Sequence, residues 1–233
     1  MPRARSRPSR RQRRTVFLFD VDNTLLDNDR VIGDLERHLR REVGTAQSRT
    51  YWTIFERLRA ELGYADYLGA LQRYRIEHPR DLRVLTVSHF LVNYPFANRL
   101  YPGSLDVIER VKRWGKVALL TDGDVVFQPR KVERSGLGEA VEGHVLVYVH
   151  KEQQLADVAH RLPADHYVLV DDKLRILTAV KKAWGRRVTT VFVRQGHYAH
   201  DAALSGKYPA ADLTADRIGD LLRFGRETLV RGD

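Results

Sequence analysis

The chain has 233 residues, 43% hydrophobic and 30% charged, enough to bury one large core or a core with a smaller inserted module. It has no cysteine, which excludes disulfides, thiolate metal sites and a cysteine nucleophile, and fits a reducing cytoplasm. The formal charge of +10 is uneven, because Arg3, Arg5, Arg7, Arg10, Arg11, Arg13 and Arg14 supply seven of those charges with no acid among them.

Residues 1–14, rich in Pro, Ser and Arg, read as a disordered basic tail. Such a tail can attract nucleic acid through phosphates, but no aromatic residue is interleaved to stack on bases, which favours a simple solvated tail. The start lacks the apolar run of a secretory signal, and no apolar stretch is long enough for a membrane span.

From Thr15 the elements follow in order. A first apolar run at 16–19 reads as a strand. Between Asp27 and Tyr101 no strand is convincing and helical periodicity takes over. Ile32, Leu35 and Leu39 mark one helix. Tyr51, Ile54, Phe55 and Leu58 mark a second, ended by Gly63. Tyr67, Leu68, Leu71 and Tyr74 mark a third, closed by Pro79. Leu82, Leu85 and Val92 mark a fourth. The turn Tyr101-Pro102-Gly103 returns the chain to the main rhythm. Leu105, Ile108 and Val111 then predict a helix, 117–120 a strand, and 145–149 another. Leu155, Val158, Ala159 and Leu162 form a helical stripe, followed by a strand at 167–170. Leu174, Leu177, Val180 and Trp184 form the next stripe, followed by a strand at 188–193 and a C-terminal helix at Ile218, Leu221 and Leu222. Strands that are apolar throughout, joined by amphipathic helices, indicate an α/β fold with a doubly wound parallel sheet. The expected division is a Rossmann-like core at 15–27 and 100–233, carrying an all-helical cap at 28–99.

In such a sheet ligands bind beyond the carboxyl ends of the strands. The residues there are Asp20, Asp22 and Thr24; Thr121, Asp122, Gly123 and Asp124; His150 and Lys151; then Asp171, Asp172 and Lys173. Gathered carboxylates need a cation, and hard oxygen ligands favour magnesium over zinc. A calcium loop starting at Asp20 is excluded, because its fifth, sixth and twelfth positions would be Thr24, Leu25 and Val31.

These four clusters, in this order, resemble the four motifs of the haloacid dehalogenase (HAD) superfamily, from residue 16 to about Gly196. The resemblance implies Asp20 as the nucleophile and Asp22 as general acid and base. Thr121, Asp122, Gly123 and Lys151 would surround the phosphate. Magnesium would sit on Asp20, the Asp22 backbone carbonyl, Asp172 and Asp171, with Asp172 ranked before Asp171. An acid at position 22 is what the family's phosphatases carry, whereas its ion pumps have threonine there and its dehalogenases lack the acid. The expected function is therefore magnesium-dependent hydrolysis of a small phosphomonoester through an aspartyl-phosphate. A phosphotransferase or phosphomutase on the same scaffold is an alternative, as is a non-enzymatic HAD-like protein binding nucleic acid through the tail.

Two positions depart from the family pattern: Glu152 follows Lys151 where proline is common, and Asp122 stands where asparagine is common. Lys173 is expected to meet solvent or an acid. His197, Tyr198 and His200 read as surface loop, and His144 and His150 need no special role. Of the cap aromatics, Tyr51, Trp52, Tyr64, Tyr67 and Tyr74, the stripe reads as core rather than substrate wall.

Overall fold

Strands apolar on both faces need cover on both sides. The computed structural model, which describes residues 14–201 and 206–230, meets that need with one six-stranded parallel sheet. Its strands are β1 (Thr15–Phe19), β2 (Lys116–Asp122), β3 (Val145–Tyr148), β4 (His166–Asp171), β5 (Val188–Val193) and β6 (Leu213–Ala215), in the order β3-β2-β1-β4-β5-β6. The first five coincide with the predicted runs. The sixth is three residues long and lacks an apolar run to announce it.

Alternation within β1 divides the core. Phe17 and Phe19 enter one hydrophobic cluster, Val16 and Leu18 the other. The first cluster continues into the helical insertion: α1 (Asn28–Glu42), α2 (Thr45–Leu62), α3 (Tyr67–Glu77) and α4 (Val84–Asn93). On the same face lie α5 (Ser104–Lys112), α6 (Phe127–Arg134) and the short α7 (Leu137–Ala140). The second face is covered by α8 (Leu155–Arg161) and α9 (Leu174–Trp184). A short α10 (Gly196–His200) follows β5.

The two ends of the insertion are stitched together. Leu26 pairs with Leu100 as an isolated antiparallel bridge, the Asp27 N–H donates to the Arg99 carbonyl at 2.7 Å, and the Tyr101 N–H donates to the Leu25 carbonyl at 2.9 Å. Yet the helices do not hold a separate core. Tyr67 of α3 and Phe96 both pack edge-on against Phe127 of α6, with ring centres 5.3 and 5.6 Å apart.

Gly63 caps α2 in the left-handed region at φ 78°, as expected of a helix-ending glycine. Other details differ from the sequence reading. In α4 the buried face is Val84, Val87 and Leu91, while Leu82 and Leu85 are exposed, because the chain turns at 78–83 before the helix starts. Leu105 is likewise exposed, and Val107 takes its place in the core. The predicted C-terminal helix is a 3₁₀ turn at Ile218–Arg223 followed by a four-residue helix at Arg226–Leu229. Close approach explains it: Gly219 lies against the Pro102-Gly103 backbone, and the Ile218 N–H donates to the Gln195 side chain. The predicted basic tail falls outside the described residues except for Arg14, whose N–H donates to Asp165. Among the described residues no helix is long and apolar enough to cross a membrane.

Candidate active site

The strand order changes direction at β1 and β4: the chain builds β2 and β3 on one side and β4 to β6 on the other. The crevice beyond such a switch point is where an open α/β sheet can admit a ligand. Asp20 follows β1, with its N–H bonded to the Val170 carbonyl at 3.0 Å; Asp171 ends β4 and Asp172 follows it. The three carboxylates offer ligand atoms all within 4.8 Å of one another, and all three residues are buried.

Lys151 enters this group through a bend at His150, which adopts the left-handed φ of 59°. The His150 ring packs against Gly63, where an added Cβ would come within 2.7 Å of it. Beyond the bend, Lys151 Nζ lies 2.5 Å from Asp20 Oδ1, 2.7 Å from Asp171 Oδ2 and 3.1 Å from the Leu120 carbonyl. Burial pulls this ammonium down, but Asp171, Asp20 and Asp122 outweigh it and hold it above the ordinary lysine value. Asp122 accepts the Lys151 N–H at 2.7 Å, so the unusual acid of the second cluster braces the turn that delivers the lysine. Burial raises Asp122, only partly offset by Lys151.

Asp172 is different. It is 1% exposed, and neither carboxylate oxygen has a hydrogen-bond partner. Burial pushes it well above the usual carboxylate range; Lys173 opposes that shift, while Asp171 and Asp20 add to it. A buried, unpartnered carboxylate beside two more oxygen donors fits a hard divalent cation, which would supply the missing partner. Asp171 has less to offer, since Oδ1 accepts the Lys173 N–H at 2.8 Å and Oδ2 faces Lys151. Asp172 is thus the carboxylate of the pair with no protein partner.

Helix α6 supports two more predicted residues. Asp124 starts it by accepting the Val126 and Phe127 N–H groups at 2.8 and 2.6 Å. Gln128 donates to Thr121 Oγ1 at 2.9 Å, and an added Cβ on Gly123 would come within 2.5 Å of Gln128 Cβ, so only glycine fits there. One turn on, Lys131 is fully buried and holds Asp22 by both oxygens at 2.6 and 2.8 Å. The sequence reading singled out neither Gln128 nor Lys131; the available signal was two polar residues in the stripe that also carries Phe127 and Val132. Thr24 Oγ1 lies 3.4 Å from Asp20 Oδ2.

A cavity of about 580 Å³ lies between the strand ends and the insertion. Asp22, Asp122, Gly123 and Lys173 line it from the core, and Trp52, Phe55, Tyr64 and Tyr67 from the insertion. Asp20 lies outside this lining. The aromatic stripe therefore divides: Tyr51 and Tyr74 are core, whereas Trp52, Tyr64 and Tyr67 also form cavity wall. His197 and Tyr198, expected on a surface loop, line the cavity too. Tyr198 accepts a hydrogen bond from Arg59 of α2, and Lys173 Nζ lies 5.0 Å from its ring centre. Lys173 thus faces the cavity. Burial lowers its ammonium, but Asp172, Asp20 and Asp171 leave it raised above the ordinary lysine value. His200 is exposed.

Comparison with known proteins agrees with this layout. A family model described as haloacid dehalogenase-like hydrolase matches residues 15–196. The structure of a haloacid dehalogenase-like hydrolase from Burkholderia xenovorans LB400 is 60% identical, with a TM-score of 0.88, covering 91% of this chain and 99% of that one. The HAD-hydrolase YfnB from Bacillus subtilis, bound to magnesium, is 16% identical over 91% of this chain and 98% of its own, with a TM-score of 0.61. The L-2-haloacid dehalogenase from Xanthobacter autotrophicus is 20% identical over 93% and 98%, with a TM-score of 0.57. These last two share the fold. No curated protein matches the chain. With its motif residues gathered at the carboxyl edge of the sheet and its family model spanning most of the sequence, this chain belongs to the haloacid dehalogenase-like hydrolases.

Proposed function

We propose that the chain is a phosphoric monoester hydrolase that uses Asp20 as nucleophile and takes a small phosphorylated substrate into the cavity between strand ends and insertion. The observation that carries the reading is Asp22, a carboxylate that lines the cavity two residues from the buried Asp20. A departing halide needs no proton, whereas a departing alkoxide does, so an acid at this position serves phosphate esters and not dehalogenation.

In the first step an Asp20 oxygen bonds to phosphorus. The ester P–O bond breaks, its electron pair stays on the leaving oxygen, and that oxygen takes the Asp22 proton to depart as an alcohol. In the second step Asp22 accepts a proton from water while the water oxygen bonds to phosphorus. The bond to Asp20 then breaks, and free phosphate and the original carboxylate are restored. Lys151 stabilises charge on Asp20 and on the transferring group, and Thr121, braced by Gln128, donates to a phosphoryl oxygen. Asp20, Asp172 and Asp171 would hold magnesium, with the Asp22 carbonyl as the expected further ligand; a bound ion would screen nucleophile from phosphate and polarise the phosphoryl oxygens.

The test is phosphate release from a panel of phosphorylated metabolites with and without magnesium, alongside halide release from 2-chloropropionate. Chelator-sensitive phosphate release with no halide release is the expected result. Halide release, or a phosphatase rate indifferent to chelation, would overturn the proposal.

A further inference from the structure

Lys131 is a buried amine that the phosphoryl-transfer steps above do not use. It is 0% exposed, in the middle of α6, and all three of its ammonium donors are committed: to Asp22 Oδ1 at 2.6 Å, Asp22 Oδ2 at 2.8 Å and Asn28 Oδ1 at 3.0 Å. The Phe127 ring centre lies 5.1 Å from the same nitrogen. A lysine buys no hydrophobic advantage in such a place, since its ammonium must be hydrogen-bonded to be there at all. A purely structural helix would do as well with leucine facing an apolar neighbour. What the lysine does provide is a two-point hold on one carboxylate.

The geometry points to Lys131 as a positioning residue that fixes the plane of the Asp22 carboxylate toward the leaving-group side of the cavity. The assignment rests on the phosphatase reading. Both Asp22 oxygens are tied from the protein side, and each keeps a second lone pair for a proton or a substrate contact. Asp22 lines the cavity, while Lys131 lies behind it and outside the lining. Rotation of a free aspartate about its side-chain bonds would scatter the proton donor over positions that do not meet the leaving oxygen, and small misplacements of this kind are costly in proton transfer. Asn28 extends the support. It is the first residue of α1, buried, and its own N–H donates to Asn23 Oδ1 at 3.0 Å. The position of Asp22 is therefore set jointly by the core helix α6 and by the first turn of the insertion.

The experiment is a leaving-group comparison. Full-length wild type, Lys131→Met, Lys131→Arg and Asn28→Ala are assayed with magnesium on an alkyl phosphate and on p-nitrophenyl phosphate. The readout is kcat/KM, which reports transfer to Asp20. The alkoxide needs a proton to leave and nitrophenolate does not. Lys131→Met is expected to lower kcat/KM on the alkyl ester on the order of 10²-fold, with a change within about threefold on the aryl ester. Lys131→Arg, which keeps a two-point donor, should recover part of the alkyl rate. Asn28→Ala, with Lys131 in place, should move the ratio the same way by a smaller factor and decides the matter if Lys131→Met does not fold. Equal losses on both esters from an active wild type overturn the positioning role alone. A wild type inert on both esters overturns the phosphatase reading, and the inference with it.

Discussion

Lys151 and Lys131 approach the same aspartate loop from different elements, one from the turn after β3 and the other from the middle of α6. Lys151 has two carboxylates within 2.7 Å and a third, Asp122, close enough to raise its ammonium. Lys131 has one carboxylate and one neutral amide. A cation surrounded by several anions is part of a charge balance that any bound divalent ion would alter. A cation with a single anion serves that partner. The two buried lysines thus illustrate how burial alone says little about role: the number and identity of the acids around each one separates an electrostatic group from a support.

The largest effect should come from removing the acid that Lys151 serves. Asp20→Asn is expected to lower turnover on the order of 10⁴-fold or more while circular dichroism stays that of the folded protein. Appreciable phosphate release by this variant would break the Lys151 side of the comparison.

Lys151→Met comes next. Turnover should fall about 10³-fold, and the metal-free protein should lose roughly 3–5 kcal/mol, because Asp20 and Asp171 are left facing each other without their cation. Denaturant melts with and without magnesium would sharpen the contrast, since added magnesium should return part of that loss.

Asp172→Asn should act mainly through the metal. Wild type at 100 times its magnesium dissociation constant gains about 2.7 kcal/mol, and the variant should gain little. In chelator the variant should melt no lower than wild type, because a buried carboxylate with no partner has been neutralised. Equal magnesium-dependent shifts in the two proteins would count against the acidic cluster as the ion's site.

Asp34→Asn is the smallest and serves as the control, because Asp34 pairs with Arg99 rather than with either lysine. Asp34 of α1 meets Arg99 at 2.7 Å and the Tyr94 hydroxyl. Burial raises its pKa, but bonds from Tyr94 and Arg99 outweigh this and leave it lowered. A lowered carboxylate stabilises above its unfolded pKa and loses that contribution as pH falls. The variant should therefore cost about 1–2 kcal/mol at pH 7, with the gap to wild type closing below about pH 4. The ratio of alkyl to aryl phosphatase rates should not move.

How far the sequence announced all this depends on what each residue contacts. The first five strands were visible because they are mostly apolar, and Asp20, Thr121, Lys151, Asp171 and Asp172 were visible because they stand at or just beyond the ends of four of them. Asp172 could be ranked above Asp171 only by resemblance; in the structure the physical difference is that Asp171 has a lysine and a backbone N–H while Asp172 has neither. Lys131 was hidden because a lysine on an eight-residue amphipathic helix carries no mark of which way it faces until the Asp22 loop is seen beside it. His197 and Tyr198 were misjudged for a related reason. Residues 194–201 after β5 carry no apolar run, and their course back to α1 is held by Asp29, which accepts the His197 backbone N–H at 2.8 Å. The same gap explains α4, where Leu82 and Leu85 supplied the right composition and the wrong face.

The paired segments at Leu25–Asp27 and Arg99–Tyr101 bear on how this protein could be rebuilt. Because the chain leaves and rejoins the sheet side by side, the 71 residues from Asn28 to Asn98 are joined to it in chain by one two-stranded neck. Replacing them with a tight connector would cost little in closure entropy, since the ends already meet. The exposed consequence would be aromatic: Phe127 would lose Tyr67 and Phe96 together, so a transplanted roof must bring its own rings to that spot.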